Sequence, residues 1–201
     1  MIVIGITGMP GSGKSLAAQY LVRKGFEKVE MGDIIREEMR KKKIKITNKS
    51  IREFSLLLRK KFGNEVVARL TLRGLRKKRE NIVIVGLRGV GEIEYFKKRL
   101  KHFYVIALVA PKLLRYKRLR ARGRKDDPKN IKEFEFREAK EKRYGIEGAI
   151  RNADFIVSNT ASAKQLKRDL DFLLNYIITN EKMKRKMKKE NEKKDGKGIN
   201  E

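Results

Sequence analysis

The chain reads as an α/β domain built on a parallel sheet, and three observations predict it. Five short runs rich in Val and Ile have strand length and composition: "IVIGIT" (2–7), "FEKVEM" (26–31), "NIVIV" (81–85), "FYVIALV" (103–109) and "DFIVS" (154–158). The first, third and fourth are continuously apolar, as strands covered on both faces should be. Between the runs lie segments whose apolar residues recur at helical spacing. Strand, crossover helix and strand in alternation give parallel pairing.

The first run leads directly into a turn with glycines at 8, 11 and 13, then into a helix pattern carried by Leu16 and Tyr20. After the second run, residues 32–79 hold more than one crossover requires: Ile51, Phe54 and Leu58, then Val66 and Leu70, mark two or three helices inserted over one sheet edge. The third run is followed by a helix on Ile93, Phe96 and Leu100, and residues 112–145 form a second, polar helical excursion. Beyond the fifth run, Leu166, Leu170, Leu173, Leu174 and Ile177 share a helix face that is expected to close a single domain over residues 1–180. From Glu181 to Glu201 almost nothing can pack, which predicts a basic, disordered tail.

The composition suits one core of ordinary size: 201 residues, 40% of them apolar. Lys and Arg number 53 against 25 Asp and Glu, a formal charge of +28. Such a field attracts anions, so nucleotides, nucleic acid and anionic lipid are candidate partners. The same Lys- and Glu-rich surface also characterises proteins adapted to high temperature. With no cysteine there is no disulfide framework, iron–sulfur cluster, thiol nucleophile or zinc site of the usual kind. No apolar stretch approaches the roughly 20 residues of a membrane span, and the first strand leaves no room for a leader, so a cytoplasmic location is expected. His102 stands beside a strand start and reads as structural.

Gly8-Met9-Pro10-Gly11-Ser12-Gly13-Lys14-Ser15 fits the pattern G-x-x-x-x-G-K-[ST] in its required place between strand and helix. Glycines let a bent loop turn its N–H groups inward around a phosphate. The following helix adds unpaired N–H groups and the positive end of its dipole. Lys14 is placed to reach the outer phosphates, and the Ser15 hydroxyl to ligate magnesium. The expected cofactors are ATP and Mg2+.

Guanine-specific switch proteins need Asn-Lys-x-Asp, and the single Asn-Lys here continues Ser50-Ile51. ATPase motors place a carboxylate at the end of a second core strand, whereas the third run ends Val85-Gly86-Leu87-Arg88. The remaining motifs resemble the adenylate kinase and dephospho-CoA kinase group of small phosphotransferases, and over residues 1–178 the chain is similar to an archaeal family of P-loop, nucleotide-kinase-like proteins related to that group. "MGDIIREEM" resembles the acceptor motif, which implies Asp33 beside the reacting phosphate and magnesium, and Arg36 on the acceptor. "GLRG" implies a second acceptor arginine, Arg88. "YKRLRARGRKDDP" resembles a lid, with Arg118 and Arg122 on the triphosphate and an Arg-x-Asp-Asp element from Arg124 to Asp127; Arg124 and Arg137 join the expected acceptor contacts. "ADFIVSNTAS" implies Asn159 and Thr160 near the base. The resemblance implies a three-layer P-loop fold with strand order 2-3-1-4-5, in which 32–79 covers the acceptor and 112–145 covers ATP. Where adenylate-type kinases carry an acid, this chain has Val85.

Physics alone makes the same assignment reasonable, because phosphoryl transfer asks chiefly for alignment and charge neutralisation. Residues 112–125 contain eight basic side chains and no acid, with Arg115, Arg118 and Arg122 on one helical face. Those charges repel unless an anion arrives, which predicts a lid that orders over triphosphate. Asp33 reads either as a helix N-cap or as a carboxylate serving magnesium or an attacking hydroxyl. Two functions stay open: a kinase for a small phosphorylated or hydroxyl acceptor, or a nucleotide-dependent protein contacting nucleic acid weakly through its basic surface and tail, such as a polynucleotide end kinase or a non-catalytic regulator. No membrane partner is expected.

Overall fold

The computed structural model describes residues 1–75, 80–124 and 127–195. Five strands form one parallel sheet: β1 (Val3–Thr7), β2 (Glu27–Glu30), β3 (Ile82–Val85), β4 (Phe103–Val109) and β5 (Phe155–Ser158). Their order is β2-β3-β1-β4-β5, as expected. Each falls within a predicted run. Register places Val3 beside Ile82 and Phe103, so the three continuously apolar runs are the central strands. Of their residues, Val3, Ile4, Ile6, Ile82 to Ile84 and Val105 to Leu108 are almost wholly buried.

The helices follow from local chemistry. α1 (Lys14–Arg23) carries Ala17, Ala18 and Leu21 against the sheet. The insertion is three helices: α2 (Met31–Lys41), α3 (Asn48–Phe62) and α4 (Val66–Leu75). α3 starts on a reciprocal cap, in which the Thr47 hydroxyl accepts from the Ser50 N–H at 3.0 Å and the Ser50 hydroxyl accepts from the Thr47 N–H at 2.9 Å. Met31, Ile35, Met39, Phe54, Leu58, Val66 and Val67 join Ile82, Ile84, Val105 and Phe103 in one apolar cluster, which seats the insertion on the sheet. α5 (Val90–Lys97) adds Ile93 and Phe96 to that cluster.

α6 (Lys112–Arg122) and α7 (Ile131–Arg143) form the second excursion, followed by the short α8 (Ile146–Arg151). α7 is capped by Asn130, whose side chain accepts from the Glu133 N–H at 2.9 Å, while Glu133 accepts from the Lys129 N–H at 2.8 Å. Lys125 and Asp126, part of the predicted Arg124 to Asp127 element, lie outside the described residues.

The chain divides into two compact units, Met1–Ala161 and Ser162–Glu201. The second is the single helix α9 (Ala163–Asp195), with Leu166, Leu170, Leu174 and Ile177 buried along one face. From residue 181, where a solvated or disordered tail is expected, the helix continues to Asp195. Lys, Glu and Met are good helix formers, so intrinsic propensity sustains a helix there without an apolar face. Residues 196–201 lie outside the described set. Among the described residues no helix is long and apolar enough to cross a membrane.

Candidate functional site

The site begins where β1 ends. Gly8, Gly11 and Gly13 all take positive φ, at 140°, 80° and 105°, which L side chains rarely adopt. Space reinforces the point at two of them. A Cβ on Gly8 would stand 2.3 Å from the Leu108 carbonyl oxygen, and one on Gly11 would stand 2.5 Å from that of Arg115. The loop is held from outside: the Asn159 amide donates to the Ser12 carbonyl at 2.9 Å, and Arg115 donates to that of Pro10 at 3.2 Å. Gly13 caps α1 without a side-chain hydrogen bond, and the first turn contains no acid.

Lys14 folds back on the loop and donates to the carbonyls of Gly8 at 2.6 Å and Met9 at 3.0 Å. Desolvation of this ammonium group pushes its pKa down to about 8, with Arg88, Arg137 and Arg115 acting in the same direction and Glu141 opposing them. The Ser12 hydroxyl is buried without a hydrogen-bond partner. Buried hydroxyls ordinarily find a partner, and this one lies inside the glycine cradle. An uncapped helix start, an orphaned hydroxyl and a lysine turned onto the loop together fit a polyphosphate. Ser15 is exposed on the first turn of α1, free to ligate a metal. Among the described residues no cluster of three acidic or histidine groups could hold one alone.

The lid-like excursion differs from its expectation. Its basic side chains meet acids that come from later in the chain. Arg115 pairs with Glu138 at 2.5 Å, Lys112 with Glu135 at 2.6 Å, and Arg122 makes a two-point contact with Asp127. Arg118 donates to the Asn159 carbonyl at 2.8 Å. The expectation of a cluster without counter-charge is therefore corrected: Glu135, Glu138 and Asp127 pair with three of its eight basic side chains, Lys112, Arg115 and Arg122. Asp127 is buried and also accepts from the Arg124 N–H at 3.0 Å, and it faces Arg137 at 3.4 Å. Hydrogen bonding from Arg122 is the main cause that holds its carboxyl below the ordinary value, and burial opposes it. The Arg124 side chain is exposed and Thr160 is exposed.

Asp33 sits in the first turn of α2 with Glu30 at the N-cap position, so the N-cap reading does not hold. It is 66% exposed and forms an ion pair with Arg36. Arg36, Arg88 and Arg137 converge on a cavity of about 430 Å³, walled also by Arg52, Lys140 and Tyr144. Arg88 faces Glu141 at 3.2 Å, its N–H donates to Glu92 at 2.8 Å, and its guanidinium lies 5.5 Å from the centre of the Tyr144 ring. Arg59 donates to the other oxygen of Glu92 at 2.8 Å and lies over the same ring. The structure thus gathers Lys14, Arg36, Arg88 and Arg137 around one region and ties Arg118 and Asn159 to the loop. It leaves Arg124, Thr160 and Asp33 at the periphery.

Sequence reasoning missed the carboxylates Glu92, Glu138 and Glu141. Glu92 stands four residues after Arg88, a spacing that hints at contact; the partners of Glu138 and Glu141 lie on elements far away in sequence.

A glycine cradle at the mouth of a five-stranded parallel sheet, beside a basic cavity covered by inserted helices, defines a P-loop domain of kinase-like architecture. Residues 4–143 match the family model of an AAA domain. The chain is 38% identical over 184 residues to a UPF0200 protein of Thermococcus kodakarensis, covering 89% of this chain and 99% of that one. It is 37% identical over 183 residues to a UPF0200 protein of Methanocaldococcus jannaschii, covering 90% and 92%. The chain belongs to the UPF0200 family. Among solved structures, TT1252 from Thermus thermophilus is similar at TM-score 0.62 and 21% identity over 87% of this chain and 97% of that one. A gluconokinase from Sinorhizobium meliloti is similar at 0.55 and 14% over 91% and 97%. These likenesses concern the fold.

Proposed function

We propose that the protein is a kinase that transfers the γ-phosphoryl group of ATP, with magnesium, to a small acceptor held in the 430 Å³ cavity. The observation that carries the proposal is a glycine cradle with the Ser12 hydroxyl buried and unpartnered inside it, together with a cavity walled by Arg36, Arg88 and Arg137. Transfer requires donor and acceptor phosphates to be brought together against mutual repulsion, and this convergence of cations supplies that.

In this reading residues 8–15 cradle the triphosphate through backbone N–H groups, and Lys14 leaves the Gly8 and Met9 carbonyls for the outer phosphates. Magnesium would neutralise the β- and γ-phosphate oxygens, held by the Ser15 hydroxyl with Asp33 as its candidate carboxylate. Asn159 holds the loop in shape through Ser12 while Arg118 holds Asn159; in this reading Asn159 and Thr160 lie near the base and Arg118 faces the triphosphate. Arg122 is a lid arginine that would exchange Asp127 for phosphate. Arg36, Arg88 and Arg137 bind the acceptor, and Arg124 contributes from the lid's edge. The gluconokinase likeness agrees with a small acceptor.

Radiolabelled ATP offered with nucleosides, nucleoside monophosphates, hydroxy acids and dephospho-CoA tests the reading. Magnesium-dependent ATP uptake with label passed to one class is the expected result. ATP bound tightly with no label passed to any of them would overturn the kinase.

A further inference from the structure

The wall of the acceptor cavity carries three carboxylates, Asp127, Glu133 and Glu141, and they are not equivalent. Asp127 is engaged by Arg122, Arg137 and the Arg124 N–H. Glu133 serves the start of α7, accepting from the Lys129 N–H and the Asn130 amide. Each of the two accepts from a backbone N–H of its own segment. Glu141 instead faces Arg88 at 3.2 Å, with its side chain 15% exposed, and among the charges acting on Lys14 its own is the negative one. Its carboxylate therefore borders the cavity beside Arg88. Asp33, the carboxylate singled out by motif, is exposed, bound to Arg36 and not part of the cavity wall.

We infer that Glu141 is the general base of the transfer and that the acceptor attacks through a hydroxyl, on a molecule whose separate anionic group is held by the cavity's cations. This rests on the kinase reading. A carboxylate at the transfer point repels an attacking phosphate, which is already charged, and tolerates a neutral alcohol. An alcohol, in turn, must lose its proton as it attacks, and a carboxylate within reach accepts it. In the step, the hydroxyl oxygen bonds to the γ-phosphorus as the bond from that phosphorus to the β,γ-bridging oxygen breaks. The electron pair leaves on the nucleoside diphosphate, and the hydroxyl proton passes to Glu141 and then to solvent.

The remaining charges fit an anionic handle. Arg88 faces Glu141 at 3.2 Å, and Arg36, Arg52, Arg137 and Lys140 line the same cavity. Glu141 offsets only part of this charge. Burial, with Arg52 and Arg137, holds the Lys140 ammonium below its ordinary pKa, so a bound carboxylate or phosphate would relieve the crowding.

The test uses the full chain with magnesium and ATP. Nucleoside monophosphates, sugar phosphates and hydroxy acids are offered as acceptors, water being the default acceptor, and the product is analysed for the position of the new phosphate. The expected product is a phosphate ester on a hydroxyl. Glu141→Gln should lower its rate by about 10²-fold or more, while ATP affinity by calorimetry changes less than about threefold. Glu141→Asp should recover part of the rate. A diphosphate product, transfer to no hydroxyl including water, or a Glu141→Gln protein with the wild-type rate would each overturn the inference. Failure of the wild-type protein to take up ATP with magnesium would instead overturn the kinase reading itself.

Discussion

The phosphate loop and the α6–α7 excursion both present cations to the same region, yet they are built by different means. In residues 8–15 the shape comes from backbone: positive φ at three glycines, carbonyls of Leu108 and Arg115 packed where Cβ atoms would be, and a helix start with no side-chain cap. In α6 and α7 it comes from side-chain charge: Arg115 on Glu138, Lys112 on Glu135, and Arg122 with Arg137 on Asp127. Backbone geometry is indifferent to acid and salt, whereas ion pairs depend on the charge of their carboxylates, and the half-exposed Lys112–Glu135 pair is also screened by salt. One half of the site is thus set in advance; the other is held by pairings that a phosphate could replace.

Substitutions can break that contrast, beginning with the largest effect. Lys14→Ala should abolish magnesium-dependent ATP uptake by calorimetry and lower any phosphoryl transfer by about 10²-fold or more, because one donor to developing charge is commonly worth that much. Retained uptake would mean that the loop does not hold the phosphates. Gly11→Ala places a Cβ 2.5 Å from the Arg115 carbonyl at a φ of 80°. A loss of about 1 to 3 kcal/mol in thermal or denaturant unfolding is expected, with ATP uptake weakened too. Unchanged stability would show that the loop yields where the geometry says it cannot.

Asp127→Asn sharpens the other side of the comparison. It should cost about 1 to 2 kcal/mol at neutral pH, since two guanidinium groups lose their shared acceptor charge, and leave the loop's hydrogen-exchange protection intact. The sign of its pH dependence follows from the lowered folded pKa. The aspartate's contribution is present above the ordinary aspartate value and is lost as pH falls through the depressed one, so the variant and the wild type should converge in stability in strong acid. A gap that persists undiminished there would remove the ion-pair account.

The smallest effect concerns protons. With its pKa near 8 in the free protein, Lys14 is partly neutral in mildly alkaline solution, and a bound triphosphate favours its charged form. ATP binding at and above pH 8 should therefore take up a fraction of a proton, read by calorimetry in buffers of different ionisation enthalpy, and Lys14→Ala should abolish it. At neutral pH the uptake should shrink toward zero.

Much of this molecule could be read from local pattern. The strands are contiguous apolar runs and their positions need no distant partner to be recognised; the loop's glycines announce positive φ, and Lys14 follows by spacing. Where the reading failed, the information was not local. Residues 112–125 look uncompensated because their counter-charges, Glu135, Glu138 and Asp127, come later in the chain and meet them only when α7 folds back. Glu92 receives the Arg88 N–H and Arg59, which stands 33 residues before it. In the tail the helix continues without an apolar face, because helix propensity acts residue by residue.

The sequence by itself determined the parallel sheet, the order in which strands and helices alternate, and the phosphate loop, because each depends on residue periodicity or backbone freedom within a few neighbours. Only the tertiary structure decided which carboxylate answers which cation: Glu138 meets Arg115, Asp127 meets Arg122 and Glu141 meets Arg88. Charge pairs are made across space at a few ångströms, and a sequence orders its residues along the chain, where those partners lie tens of positions apart.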